Sequence, residues 1–219
     1  MRFHVLTLFP GAFREHLEYS MLALALKRGL VSIDVTDIRD YSHDPHRTAD
    51  DYQFGGGHGM ILKPEPVFEA TEAALSSYNE SERKAIPIIL FTPQGEMLTQ
   101  RVVEGLAQAP ALAMICAHYA GIDNRVPKYL ATREISLGDF VLTGGELPAM
   151  ALIDAVSRLV PGVIGAPENV AETRWVRRSA GMPSRMASSS SRKPMSSMRS
   201  ASSRTTCRIP STASAPRLR

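Results

Sequence analysis

The feature that most limits what this chain can fold into is a break in composition near Thr173. From Thr173 to Arg219 there are eleven Lys or Arg and no Asp or Glu. All 22 acidic residues therefore lie before the break, against fourteen of the 25 basic ones, so the net charge of +3 divides into −8 for the front and +11 for the tail. The tail is thick with Ser and Arg and poor in large apolar side chains. It cannot bury enough surface to offset the entropy lost on ordering, so disorder is expected there and any core must come from the front.

The 219 residues, 44% of them hydrophobic, allow one large or two small domains. No stretch reaches the apolar length of a membrane span, and Arg2 and His4 within an alternating N-terminus do not fit a signal peptide. A cytoplasmic protein with no membrane partner is expected. Cys116 and Cys207 are far apart and suggest neither a disulfide framework nor a zinc site.

Arg2 to Phe9 alternates like a strand, and Pro10 and Gly11 close it. Phe13 to Arg28 has helical spacing with Gly29 as its cap, and Val31 to Ile38 reads as a second strand, so β-α-β opens the fold and a parallel sheet is favoured. Lys63 to Ser76 reads as helix and Ser77 to Lys84 as a polar connector. Ala85 to Thr92 is a near-continuous apolar run, the mark of a strand buried on both faces. Leu98 to Leu106 is expected to be helical, Leu112 to Cys116 a buried strand, and Ile135 to Leu142 β-rich. A last helix opens with Glu146 and Pro148 and ends near Arg158.

Three turns follow these apolar runs: Pro93 to Gly95, Ala117 to Gly121, and Leu142 to Gly145. A Gly-Gly pair alone is ordinarily no more than a tight turn, but three turns converging from separate strands predict a pocket. Arg39 to Gly59 lacks apolar periodicity and is dense in Asp, His and Arg. Such loops are usually solvated connections; the alternative is a polar loop that touches a nucleic acid backbone through His46 and Arg47. The run Gly55 to Gly59 lacks the spacing of a dinucleotide fingerprint.

The segments GGGHGMILKPEP, FTPQGEMLTQ, ICAHYAGIDNRV and LGDFVLTGGELPAMALIDAVSRLVPGVIG, in this order, together with FHVLTLFP and DIRDYSHDPHRTADD, resemble the bacterial tRNA (guanine-N1)-methyltransferases of the SPOUT class. The resemblance covers about Met1 to Gly165. It implies an α/β fold with an open parallel sheet and a C-terminal trefoil knot, a homodimer with its site between subunits, and tRNA as partner. It further implies S-adenosylmethionine as methyl donor, magnesium as a requirement of the reaction, and methylation at N1 of the guanosine 3′ to the anticodon. Cofactor-binding positions carried over are Phe91, Thr92, Pro93, Ala117, Tyr119, Gly121, Leu137, Gly138, Asp139, Phe140, Val141, Leu142, Gly144, Gly145 and Pro148. His46, Arg47, Asp50, Gly57 and Gly59 are carried over as substrate-binding. No metal ligands are assigned.

Methyl transfer to guanine N1 needs in-line positioning, a base for the N1 proton and a cation near O6. Arg158 matches the family's arginine and is expected on the O6 side, with Asp154 beside it. An ungapped continuation puts Thr173 where the family has its aspartate, which makes the adjacent Glu172 the candidate base. The family's turn reads glycine, Arg or His, Tyr, Glu, Gly, whereas here it is Ala117, His118, Tyr119, Ala120, Gly121; if the first position needs positive φ, Ala117 weakens cofactor binding. Residues 1–165 are thus expected to form the methyltransferase domain and 166–173 the start of a linker. Residues 174–219 stand in place of a helical tRNA-binding domain. Two readings of that tail remain open, a basic nucleic-acid-binding arm and an out-of-frame translation of the domain. The functional alternative is a non-catalytic RNA-binding α/β module.

Overall fold

A computed structural model describes residues 1–52 and 59–165. In chain order the elements are β1 (Arg2–Thr7), α1 (Gly11–Leu17), α2 (Ser20–Lys27), β2 (Ser32–Asp37), a 3-10 turn (Ile38–Tyr41), β3 (Asp50–Tyr52), β4 (Met60–Leu62) and α3 (Pro64–Ala74). They continue with α4 (Glu80–Ala85), β5 (Ile88–Met97), α5 (Gln100–Leu106), β6 (Ala111–Ile115), α6 (Arg125–Tyr129), β7 (Arg133–Ser136) and α7 (Glu146–Ser157).

Five strands form one sheet in the order β2-β1-β6-β5-β7, and every pairing is parallel. Parallel neighbours need crossovers, and the helices that supply them cover both faces. Against one face, Phe3, Val5, Leu112 and Met114 pack with Phe13, Leu22, Val103, Leu106, Leu152, Ile153 and Val156 of α1, α2, α5 and α7. On the other, Leu6, Leu90 and Ile115 meet Val67 and Ala70 of α3, Val126 of α6 and Leu62 of β4. This double burial explains why the start of β5 and all of β6 read as unbroken apolar runs.

Four expectations are corrected. The helix over Phe13 to Arg28 is two, because Ser20 turns the chain with φ 60 between α1 and α2. The polar connector contains α4, held by a capping box in which Asn79 accepts from the Glu82 N–H and the Glu82 carboxylate accepts from the Asn79 N–H. The stretch from Arg39 to Gly59 includes β3, which pairs antiparallel with β4. Pro93 to Gly95 is a bulge inside β5, where the pairing with β7 slips between Phe91 and Glu96.

Candidate cofactor pocket

A cavity of about 460 Å³ opens at the C-terminal ends of β5, β6 and β7, within the size range of small-ligand sites. One wall is Leu90 to Gln94 at the β5 bulge, the second Ala117 to Ile122 after β6, and the third Glu134 to Leu137 running into Phe140 to Gly145 and Pro148. Two glycines allow these walls to meet. A Cβ on Gly95 would lie 2.5 Å from the backbone of Glu134, and one on Gly145 would lie 2.6 Å from Cα of Cys116. The Gly145 N–H donates to the Ala117 carbonyl at 2.9 Å, joining the second and third walls directly.

The second wall is further tied to β4: Ala120 N–H donates to the Met60 carbonyl, and Leu62 N–H to the Gly121 carbonyl. Its left-handed residue is Tyr119, with φ 65, while Ala117 is not among the positive-φ residues. The condition under which Ala117 would weaken binding is therefore not met. The strain falls on Tyr119, a non-glycine residue held in a sparsely populated region. Its hydroxyl accepts a 3.4 Å contact from Arg39 Nη2.

Behind the third wall lies a polar group that sequence reading did not assign. Glu146, 8% exposed, accepts a 2.7 Å hydrogen bond from the Thr7 hydroxyl at the end of β1. Its other oxygen faces His118 Nδ1 at 3.5 Å, and the His118 ring packs against Phe9 with centroids 4.7 Å apart. The signals available in the sequence were a threonine ending an apolar strand and an acid in the first turn of a helix. Burial, with the Glu146 charge adding to it, pushes the Cys116 thiol well above its ordinary value, so it stays protonated and is no nucleophile.

The cofactor positions carried over from the family all line the cavity except Gly138 and Asp139, which lie in the same segment but outside the lining. Leu137 to Leu142 is not strand: β7 ends at Ser136, and Phe140 and Val141 are exposed. None of His46, Arg47, Asp50 or Gly59 lines the cavity. Arg47, with φ 52, bonds Asp40; the His46 N–H is used by Asp44; and Asp50 pairs with Leu62 across the β3–β4 ladder. Gly59 (φ 99) borders the second wall, where an added Cβ would meet that of Ala120 at 2.9 Å. Arg158 caps the C-terminus of α7, the end opposite the cavity. Glu172 and Gly57 lie outside the described residues.

A doubly covered parallel sheet with a cavity walled by backbone-rich turns at its strand ends defines a ligand-binding α/β protein. The comparisons narrow this. The family model described as tRNA (Guanine-1)-methyltransferase TrmD matches residues 1–195, and the chain belongs to that family. A tRNA (guanine-N(1)-)-methyltransferase from Dehalococcoides mccartyi is 50% identical over 169 residues, 77% of this chain and 66% of its own length. The protein of the same name from Moorella thermoacetica is 49% identical over 172 residues, 78% of this chain and 68% of its own. The chain thus spans about two thirds of the length of these curated relatives. The crystal structure of a tRNA (m1G37) methyltransferase from Aquifex aeolicus matches with a TM-score of 0.67 at 42% identity, covering 76% of this chain and 73% of that one.

Proposed function

We propose that the chain binds S-adenosylmethionine in the strand-end cavity and methylates N1 of the guanosine 3′ to the anticodon of tRNA. The observation that carries this reading is the cavity itself, in a chain of this family, with three turns converging on it. Its fit to the cofactor rests on geometry: Gly95 and Gly145 leave room for backbone to close round a ligand, and the lining mixes apolar side chains such as Leu137 and Leu142 with polar ones such as Thr92, Gln94 and Ser136. Bound there, the cofactor supplies an electrophilic methyl group on a sulfonium. The chain's own residues orient it through Phe91 to Pro93, Ala117 to Gly121 and Leu137 to Pro148, with Gly138 and Asp139 shaping the third wall from behind.

In this reading Arg158 stabilises charge at O6 and Glu172 takes the N1 proton. Arg158 is about 20 Å along α7 from Gly145, given thirteen residues at 1.5 Å. A chain does not bring it to its own cavity, which favours a homodimer whose second copy completes the site. Exposed Phe140, Val141 and Leu147 beside the cavity offer such a copy an apolar face. The trefoil knot belongs to the same reading, as do a methyltransferase domain over 1–165 and a cytoplasmic location; the expectations for the start of a linker over 166–173 and for the basic tail over 174–219 fall outside the described residues. His46, Arg47, Asp50, Gly57 and Gly59 would face the tRNA. No cluster of three His, Cys, Asp or Glu suited to a metal occurs among the described residues, so no step is assigned to magnesium.

Calorimetric titration with S-adenosylmethionine, followed by a methyl-transfer assay on a tRNA with guanosine 3′ to the anticodon, tests the reading. Binding and transfer are expected of a chain in which Arg158 and Glu172 suffice. Binding without transfer would keep the pocket and trace the silence to the replacement of the family's helical tRNA-binding domain by the basic tail. Absence of binding would overturn the assignment.

A further inference from the structure

Glu146 is the most unusual polar side chain near the cavity. A carboxylate at 8% exposure is costly to bury unless its oxygens are occupied. One is: the Thr7 hydroxyl donates to it at 2.7 Å, across 139 residues of sequence. The other lies 3.5 Å from His118 Nδ1, itself a buried nitrogen with no hydrogen-bond partner in this conformation. The positive end of the α7 dipole adds a favourable field, because Glu146 opens that helix. Gly144 makes the arrangement possible, since a Cβ there would lie 2.3 Å from both Glu146 Oε2 and His118 Nδ1.

His118 sits between Ala117, whose carbonyl accepts from Gly145, and Tyr119, whose backbone is left-handed. Its ring packs on Phe9, two residues beyond Thr7. The carboxylate therefore joins three parts of the molecule: the end of β1, the start of α7 and the turn after β6. We propose that Glu146 is a positioning residue for the cofactor pocket. Its carboxylate, anchored by Thr7, holds His118 and through it fixes the Ala117 to Gly121 wall in the shape a ligand requires. Glu146 does not itself line the cavity. The inference rests on the reading of this cavity as the S-adenosylmethionine site.

The test is a double-mutant cycle in the full chain, using Glu146→Gln and His118→Gln, read by calorimetric titration with S-adenosylmethionine and by hydrogen exchange at the amides of Ala120 and Gly145. Each single variant is expected to weaken binding about tenfold and to speed exchange at both amides by a similar factor. The double variant is expected to be no worse than either single one. Thr7→Val should reproduce the loss, and Thr7→Ser, which keeps the hydroxyl, should restore binding; a contribution to bulk packing alone would not distinguish these two in that way. Additive losses, or a Glu146→Gln chain that binds and exchanges like the parent, would overturn the proposal. If the parent itself binds no S-adenosylmethionine, the pocket reading fails; coupled exchange at Ala120 and Gly145 then still supports the positioning role, and uncoupled exchange rejects it.

Discussion

The segment from Arg39 to Tyr52 and the turns from Ala117 to Gly145 make an instructive pair. The first is rich in side chains associated with function, and it uses them on one another. Arg47 bonds Asp40, Asp44 caps Thr48 and His46, His43 meets Glu69, and Lys63 lies 3.9 Å from Asp44. The hydrogen bonds to Asp44, with that of the Thr48 N–H foremost, hold its carboxyl below the usual range. In the second, the turns Ala117 to Gly121 and Phe140 to Gly145 carry no Asp, Glu, Lys or Arg, and they line the cavity. Its walls combine glycine and apolar side chains with polar ones such as Thr92, Gln94 and Thr143, closed by Gly145 to Ala117 and Ala120 to Met60 bonds. Chemical richness along a segment measures how it satisfies itself. A ligand site needs groups left over.

The largest expected effect that sharpens this comparison comes from Gly145→Ala. Its Cβ would meet Cα of Cys116 at 2.6 Å, a backbone atom of a buried strand end that cannot swing aside. We expect a loss of about 1–3 kcal/mol in urea denaturation together with loss of ligand binding. A variant as stable as the parent would show that the two walls are free to part.

An intermediate effect concerns pH, and extends the contrast to histidines, since His43 is exposed and His4 in β1 is buried. Burial holds the His4 imidazole below its ordinary value of 6.5, with Asp34 drawing it partly back up. As pH falls the unfolded chain takes up that proton first. The stability linked to His4 is therefore complete above about 6.5 and is lost as pH drops through the lower, folded value. One proton's worth, about 1.4 kcal/mol per pH unit, is the ceiling on that slope. His4→Gln should flatten the dependence between pH 7 and 5, measured by denaturation at each pH; an unchanged slope would assign the dependence to other groups.

Arg47→Ala should have the smallest effect. Its pairings with Asp40 and Asp37 are exposed, and such pairs contribute under about 1 kcal/mol. If tRNA affinity nevertheless falls severalfold in a filter-binding assay while stability holds, the charged segment regains a role in contact with substrate, and the comparison drawn above breaks.

Much of the sheet was legible because burial on both faces writes itself as apolar runs, as in Ile88 to Phe91 and Ala111 to Ile115. The turns after those runs were legible as a pocket for the same reason. What failed to show depended on single residues or distant partners. Ser20 breaks a helix through one dihedral, and nothing in the spacing of apolar residues marks it. The run Leu137 to Leu142 looks like strand, yet β7 is an edge that pairs only with β5 and stops at Ser136. The Asn79 and Glu82 capping box was visible in the sequence and simply outweighed by the polarity around it. The Thr7, Glu146 and His118 group left only faint marks, a threonine at a strand end and an acid in a helix's first turn, and nothing in the sequence joined its three separated segments.

That last contact also sets a clock. Thr7 leaves the ribosome 139 residues before the carboxylate that will accept its hydroxyl, an interval of about 7–28 s at 5–20 residues per second. For most of that time β1 has its near neighbours α1, α2 and β2 but not β6 beside it, and α7 across its face comes last. The pocket is therefore finished only once α7 has emerged, and any ligand it holds meets a first strand that has already waited through 139 further residues of synthesis.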